Sequence, residues 1–162
     1  MNQHEKIFDK TLDFYQNTIR KRKMDFYWCR PHKPKWAKGE LPCDFWFYDE
    51  SFVALELKYT STDRIRQSQI KDHQMKALRH FYKYKSRSYL ILTLSWNPKL
   101  TIKNSPTFAV PIKDASSWFE KNKRSFFIGE EKQWKGYQLE WLNTLKIYNL
   151  DPIVSPKHRL FT

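Results

Sequence analysis

Two β-prone runs flank a turn near the middle of the chain: Asp44–Tyr48 and Phe52–Lys58, separated by Asp49, Glu50 and Ser51. Both runs are rich in aromatic and aliphatic residues, and the three residues between them favour turns, so the segment predicts a β-hairpin. Side chains alternate along a strand. Val53, Leu55 and Leu57 therefore form a core-facing set, while Ala54, Glu56 and Lys58 share the opposite face. If residues 49–51 make the turn, Tyr48 pairs with Phe52, and counting outward brings Asp44 opposite Glu56. Residues so opposed have Cβ atoms ~5 Å apart. A slip of one residue would send Asp44 to the other face. Two carboxylates at that separation repel and raise each other's proton affinity unless a cation sits between them.

The rest of the chain supplies layers to cover such a hairpin. Gln3–Thr18 reads as a helix with Ile7, Phe8, Leu12, Tyr15 and then Ile19 on one stripe, followed by the basic cluster Arg20–Lys23 at its C-terminal end. Met24–Cys29 reads as a short strand, and Arg30–Pro42, with three prolines and Gly39, as a basic loop. After the hairpin come a polar, basic connector (Thr60–Arg66) and a helix over Gln67–Tyr84 with Ile70, Gln74, Ala77, Leu78 and Phe81 on one face. Ser88–Ser95 is almost continuously apolar, the pattern of a strand covered on both faces, and Trp96-Asn97-Pro98 ends it. Phe108–Val110 reads as a strand, Ala115–Lys121 as a short helix capped by Asp114, and Leu139–Tyr148 as a helix packing Trp141, Leu142 and Leu145. Pro152 and Pro156 mark an irregular end. The expected order is α-β-β-β-α-β plus accessory elements, an α/β fold with a central mixed sheet flanked by helices.

Composition narrows the function. The 162 residues suit one domain over 1–162, and 40% hydrophobic with 17% aromatic residues argues against disorder for most of the chain. A formal charge of +13 points to an anionic polymer as partner, nucleic acid above all. The polar start Met1–Lys6 and the longest apolar run, Tyr89–Leu94, offer neither a signal peptide nor the ~18 apolar residues of a membrane helix. Two cysteines, Cys29 and Cys43, are too few for a disulfide framework or a four-ligand zinc site, so a reduced, cytoplasmic setting is expected.

On a basic chain, two acids and a lysine on one strand face suggest metal-assisted phosphodiester chemistry. Oxygen ligands suit Mg²⁺ or Mn²⁺, such an ion polarises a scissile phosphate, and Lys58 would steer water or offset charge growing in the transition state. The alternative is an ordinary solvated strand face. Arg64, Arg66 and Lys71, between the strand and the following helix, are the expected phosphate contacts, against the alternative of a solvated loop. Trp96, Trp118, Trp134 and Trp141 are read as core or interface.

The segments Asp44-Phe45-Trp46-Phe47-Tyr48, Leu55-Glu56-Leu57-Lys58-Tyr59-Thr60 and Ile70-Lys71-Asp72-His73-Gln74 resemble the RecU-type Holliday junction resolvases of the PD-(D/E)XK nuclease superfamily. In that family an Asp on one strand, an E-x-K-x-T strand and a helix opening with H-Q come in this order. The resemblance implies a restriction-endonuclease-like core and a homodimer that nicks four-way DNA junctions in recombination and repair, using Mg²⁺ or Mn²⁺. It makes Asp44, Glu56, Lys58 and Gln74 the catalytic set, and Asp44, Glu56, Leu57 and Glu5 the metal set. Gln74 also reads as polar on an otherwise apolar helix face, where it needs a partner; an ordinary boundary glutamine is the alternative, as is a solvated first-turn glutamate for Glu5. The family's long basic stalk engages the junction centre. Here only Arg30–Leu41 fills that place, with Arg30, Lys33 and Lys35 as candidate DNA contacts, a departure that bears on junction selectivity more than on cleavage. The competing readings are a less selective nuclease of the same fold and a non-catalytic basic nucleic-acid-binding protein.

Overall fold

A computed structural model describes residues 3–21, 25–33, 39–62, 64–94, 104–121, 125–127, 137–143 and 145–155. The elements run α1 (Gln3–Lys21), β1 (Tyr27–Cys29), β2 (Phe45–Tyr48), β3 (Phe52–Thr60), β4 (Arg64–Arg66), a 3₁₀ turn (Gln67–Gln69) and α2 (Asp72–Lys83). They continue through β5 (Arg87–Leu94), β6 (Thr107–Pro111), α3 (Ile112–Lys121), β7 (Ser125–Phe127), β8 (Trp141–Leu142) and β9 (Ile147–Tyr148).

Five strands form the central sheet in the order β1-β2-β3-β5-β6. β3 is antiparallel to β2 and parallel to β5, so the sheet is mixed and β3 lies at its centre. The α/β order with a mixed sheet between helices is the one expected. Tyr48 pairs with Phe52 and Phe45 with Leu55, the expected hairpin register, and Glu50 turns the corner at φ 66°.

The sheet separates two apolar layers. On one side Phe8, Leu12 and Tyr15 of α1 meet Phe45, Phe47, Val53, Leu55, Leu57 and Ile91. On the other, Met75 and Leu78 of α2 and Ile112, Ala115 and Phe119 of α3 meet Ala54, Leu90, Leu92 and Val110. The expectation of a single core face on β3 needs correction, because helices cover both faces. Glu56 is 0% exposed, which removes the solvated-face alternative. Each buried Phe or Leu here contributes roughly 1.5–3 kcal/mol of transfer free energy.

Four further expectations are corrected. The helix expected from Gln67 begins at Asp72: Ile70 is buried, but in an extended conformation (φ −111°, ψ 120°), so its apolar character serves the core from outside the helix. The Thr60–Arg66 connector carries strand at both ends, with β3 running to Thr60 and β4 (Arg64–Arg66) pairing with β7, and Asp63 between them lies outside the described residues. Asp114 sits inside α3 and accepts the Tyr137 hydroxyl instead of capping. Leu139–Tyr148 is not a helix but the β8–β9 hairpin, with Lys146 at φ 53° and Leu145 half exposed, because short strands and a turn meet the same apolar spacing. Trp118 and Trp141 are partly buried against the two cores. Trp96-Asn97-Pro98, Trp134, Lys35, Pro156 and residues 22–24 lie outside the described residues, as do the side chains of Ile19, Arg20 and Lys21. Among the described residues, no helix is long and apolar enough to cross a membrane.

Candidate active site

The hairpin register leads from the β2–β3 ladder to the site. Asp44 stands just before β2, where the ladder ends: its N–H donates to Leu55 O (3.1 Å), and its Oδ2 accepts the Leu57 N–H (2.9 Å). A side-chain carboxylate thus takes the place of a backbone acceptor and is fixed against β3. The paired register ends at Phe45–Leu55, and beyond it these two bonds, not ladder pairing with Glu56, hold Asp44 against β3.

Glu56 lies on the α2 side of β3, level with Leu90 of β5 and fully buried. Lys58 Nζ approaches its Oε1 to 2.7 Å without the alignment of a hydrogen bond. Among the described residues neither Glu56 oxygen has a hydrogen-bond partner. Burial first, and the Asp44 charge second, push its carboxyl up to about 7, while the Lys58 ammonium opposes them. Burial likewise raises Asp44, against the pull of the Leu57 N–H and Lys58. Buried carboxylates ordinarily find donors. This pair does not.

Lys58 is held from the other side by α2. Its Nζ donates to Gln74 Oε1 (3.1 Å), which also accepts the Lys71 N–H (3.1 Å) at the start of that helix. The turn before α2 therefore presents a glutamine whose acceptor fixes the lysine. The structure brings Asp44, Glu56, Lys58 and Gln74 together.

Glu5 is placed differently. Arg30 Nη1 binds its Oε2 at 2.8 Å, Nη2 reaches Asp9 at 3.2 Å, and the guanidinium lies 4.5 Å over the Phe45 ring. Arg30 is thus engaged by α1 and β2. Glu5 remains close enough to raise Asp44, yet among the described residues no three acids, histidines or cysteines are grouped to hold an ion. The Leu57 side chain belongs to the core. Its N–H faces Asp44, and in a strand the C=O of a residue points to the same edge, so only its main-chain oxygen is available to the site.

Of the expected phosphate contacts, Arg64 and Arg66 are exposed on β4, with Ile65 buried between them, and Lys33 is exposed. Lys71 pairs with Glu40 (3.0 Å), which also contacts His73 Nδ1, while His73 Nε2 lies 3.1 Å from Leu41 O. Glu40 is the sole acid in Arg30–Pro42, a signal visible in the sequence but not used. Tyr59 was also missed. Alternation assigns it to the buried side with Leu55 and Leu57, yet it is 47% exposed.

The residues present fit a hard divalent cation. A buried acid that meets only a lysine, a second acid one strand away and a main-chain oxygen at the same edge form an all-oxygen donor set of the kind such an ion takes.

No family model matches the sequence, and no curated protein matches it. Among solved structures the chain is similar to Hjc, a Holliday junction resolvase of the archaeal hyperthermophile Archaeoglobus fulgidus, at 16% identity over 62% of this chain and 76% of that one, with a TM-score of 0.36. So shallow a likeness does not reach the RecU-type family in particular. That resemblance rests on the motif residues, and the fold on its strand order.

Proposed function

We propose that the protein is a Mg²⁺- or Mn²⁺-dependent DNA endonuclease whose catalytic centre is Asp44, Glu56 and Lys58, positioned by Gln74. The observation that carries this reading is the fully buried Glu56 carboxylate, raised to about 7 and lacking a hydrogen-bond partner, beside a second acid and an ammonium. Two acids offset by one lysine leave a net negative charge in a mostly buried place, which a bound cation would neutralise. Perturbed acids gathered with a lysine mark functional centres.

Asp44, Glu56 and the Leu57 main-chain oxygen would hold the ion, and Glu5, restrained by Arg30, would act on it only through its charge. Bound there, a divalent ion polarises the scissile phosphate and lowers the pKa of water. The chain's own residues do the rest. Asp44 is oriented through Oδ2 by the Leu57 N–H, and Lys58, gripped by Gln74 Oε1, presents a fixed positive charge to the phosphoryl oxygens. Arg64, Arg66 and Lys71 supply phosphate contacts on a chain of net charge +13. The motif resemblance supports branched DNA, four-way junctions in particular, as substrate in recombination and repair, with a homodimer as the acting form.

The test is cleavage of a labelled four-way junction and of a linear duplex of the same sequence, in Mg²⁺ and in EDTA. Nicking of the junction in Mg²⁺, abolished by EDTA and by Asp44→Asn or Lys58→Ala in folded protein, is the expected result. Equal cutting of both DNAs would leave the nuclease and remove the junction assignment. Salt-sensitive binding indifferent to Mg²⁺ and to Asp44, without cutting, would leave only a nucleic-acid-binding protein.

A further inference from the structure

One residue beyond Lys58, the end of β3 opens into a groove of about 570 Å³ lined by Tyr59, Thr60, Thr62, Arg64, Arg66 and Gln69, among others. Its size falls within the ~300–1,000 Å³ of small-ligand sites. The walls are built. Thr62 N–H donates to Thr60 Oγ1 (3.2 Å), the two threonine hydroxyls lie 3.0 Å apart, and Thr62 Oγ1 donates to Arg64 O (2.8 Å). Gln69 Oε1 accepts the Arg66 N–H (2.7 Å) on the far side. β4 itself is anchored by the fully buried Ile65 and by pairing with β7, so Arg64 and Arg66 project from a fixed strand.

Tyr59 gives the groove an aromatic surface. Its neighbours on that strand face, Leu55 and Leu57, are buried, but almost half of Tyr59 is exposed (47%). An aromatic surface beside two guanidiniums and a row of hydroxyls matches the parts of a nucleotide: a flat base, a sugar and a phosphate. A base inside a duplex has both faces covered by its neighbours and has none to offer a tyrosine.

We propose that this groove takes an unpaired DNA nucleotide, its base against Tyr59 and its phosphate between Arg64 and Arg66. Placing that nucleotide next to the cut rests on the nuclease reading. The groove then selects DNA that is open at a branch over continuous duplex, and it defines the substrate more narrowly than junction shape does.

The test is binding of the full chain, in EDTA, to a fluorescent three-way fork with two unpaired nucleotides at the branch and to a continuous duplex of equal length. The wild type should bind the fork at least about tenfold more tightly, and Tyr59→Ala should lose about that factor on the fork alone, the scale of one base–aromatic stack. Tyr59→Phe should retain it, and Tyr59→Leu, which keeps apolar bulk in case the alanine variant does not fold, should lose it. Arg64→Gln with Arg66→Gln should weaken both DNAs and lower the salt dependence by about two phosphate contacts. The proposal is overturned if the wild type shows no preference for the fork, or if Tyr59→Ala and Tyr59→Leu keep it. Because binding is read without metal, a protein that prefers the fork through Tyr59 but never cuts in Mg²⁺ loses only the nuclease reading. One that cuts, but is indifferent to Tyr59, loses only this inference.

Discussion

Asp49 and Glu56 are both acids with no solvent exposure, one in the β2–β3 turn and one in the middle of β3, and they are served very differently. Asp49 lies in the β2–β3 turn with both oxygens engaged: Oδ1 by the Arg87 guanidinium and Oδ2 by the Ser155 N–H (2.6 Å). Arg87 also donates to Ser51 Oγ (3.0 Å) and Ile153 O (2.9 Å), so the carboxylate ties the turn, β5 and the final described segment together. Glu56 has a lysine at contact distance and no hydrogen bond, and its carboxyl is pushed up to about 7. Hydrogen bonds fill both oxygens of the one buried acid and tie the fold together, whereas the other meets only a lysine and leaves acceptor capacity that the fold does not use.

Exchanging the two roles by mutation should give opposite results. The largest effect expected is on chemistry: Glu56→Gln should lower the rate of Mg²⁺-dependent DNA cleavage by about 10³-fold or more (roughly 4 kcal/mol) while leaving the fold intact, as read by single-turnover kinetics alongside circular dichroism. Asp49→Ala should do the reverse. Stranding Arg87 should cost about 2–4 kcal/mol in urea unfolding, at the lower end of buried pairs because the arginine side chain is partly exposed, with cleavage per folded molecule unchanged.

The pH dependence of stability sharpens the contrast. Because the folded protein raises the Glu56 carboxyl from an ordinary 4.5 to about 7, the native state binds this proton more tightly than the unfolded chain does. The resulting stability is fully present below about pH 4.5 and lost as pH rises to about 7, an effect on the order of 1–3 kcal/mol. Metal-free wild type should therefore lose stability across that window in urea melts, Glu56→Gln should lose less, and added Mg²⁺ should restore the loss near pH 8. The smallest effect is expected at Gln74. Replacing it with alanine frees Lys58 from one of its two holds and should slow cleavage about tenfold (~1.4 kcal/mol), with a stability change below about 1 kcal/mol.

The surroundings of Glu56 were legible in the sequence and those of Asp49 were not. The Asp49-Glu50-Ser51 turn sets the Tyr48–Phe52 register and alternation puts Glu56 and Lys58 on one face, while Asp44, one residue beyond the ladder, is tied to β3 by its bonds to Leu55 and Leu57. Local periodicity suffices because the pieces lie within one hairpin. Asp49 itself reads as a turn former. Its partners, Arg87 and Ser155, are far along the chain, and nothing local announces them. The β8–β9 hairpin was hidden for a similar reason: two-residue strands carry too little alternation to outweigh the helical spacing of Trp141, Leu142 and Leu145. The ion pair of Glu5 with Arg30, distant in sequence, is likewise something no local pattern announces.

Calorimetric titration of Mn²⁺ into the metal-free protein, without DNA, tests the account most directly. Binding that disappears in Glu56→Gln and Asp44→Asn but persists in folded Asp49→Asn is the predicted result. Binding of the same strength in wild type and Glu56→Gln, or none in the wild type at pH 8, would contradict it.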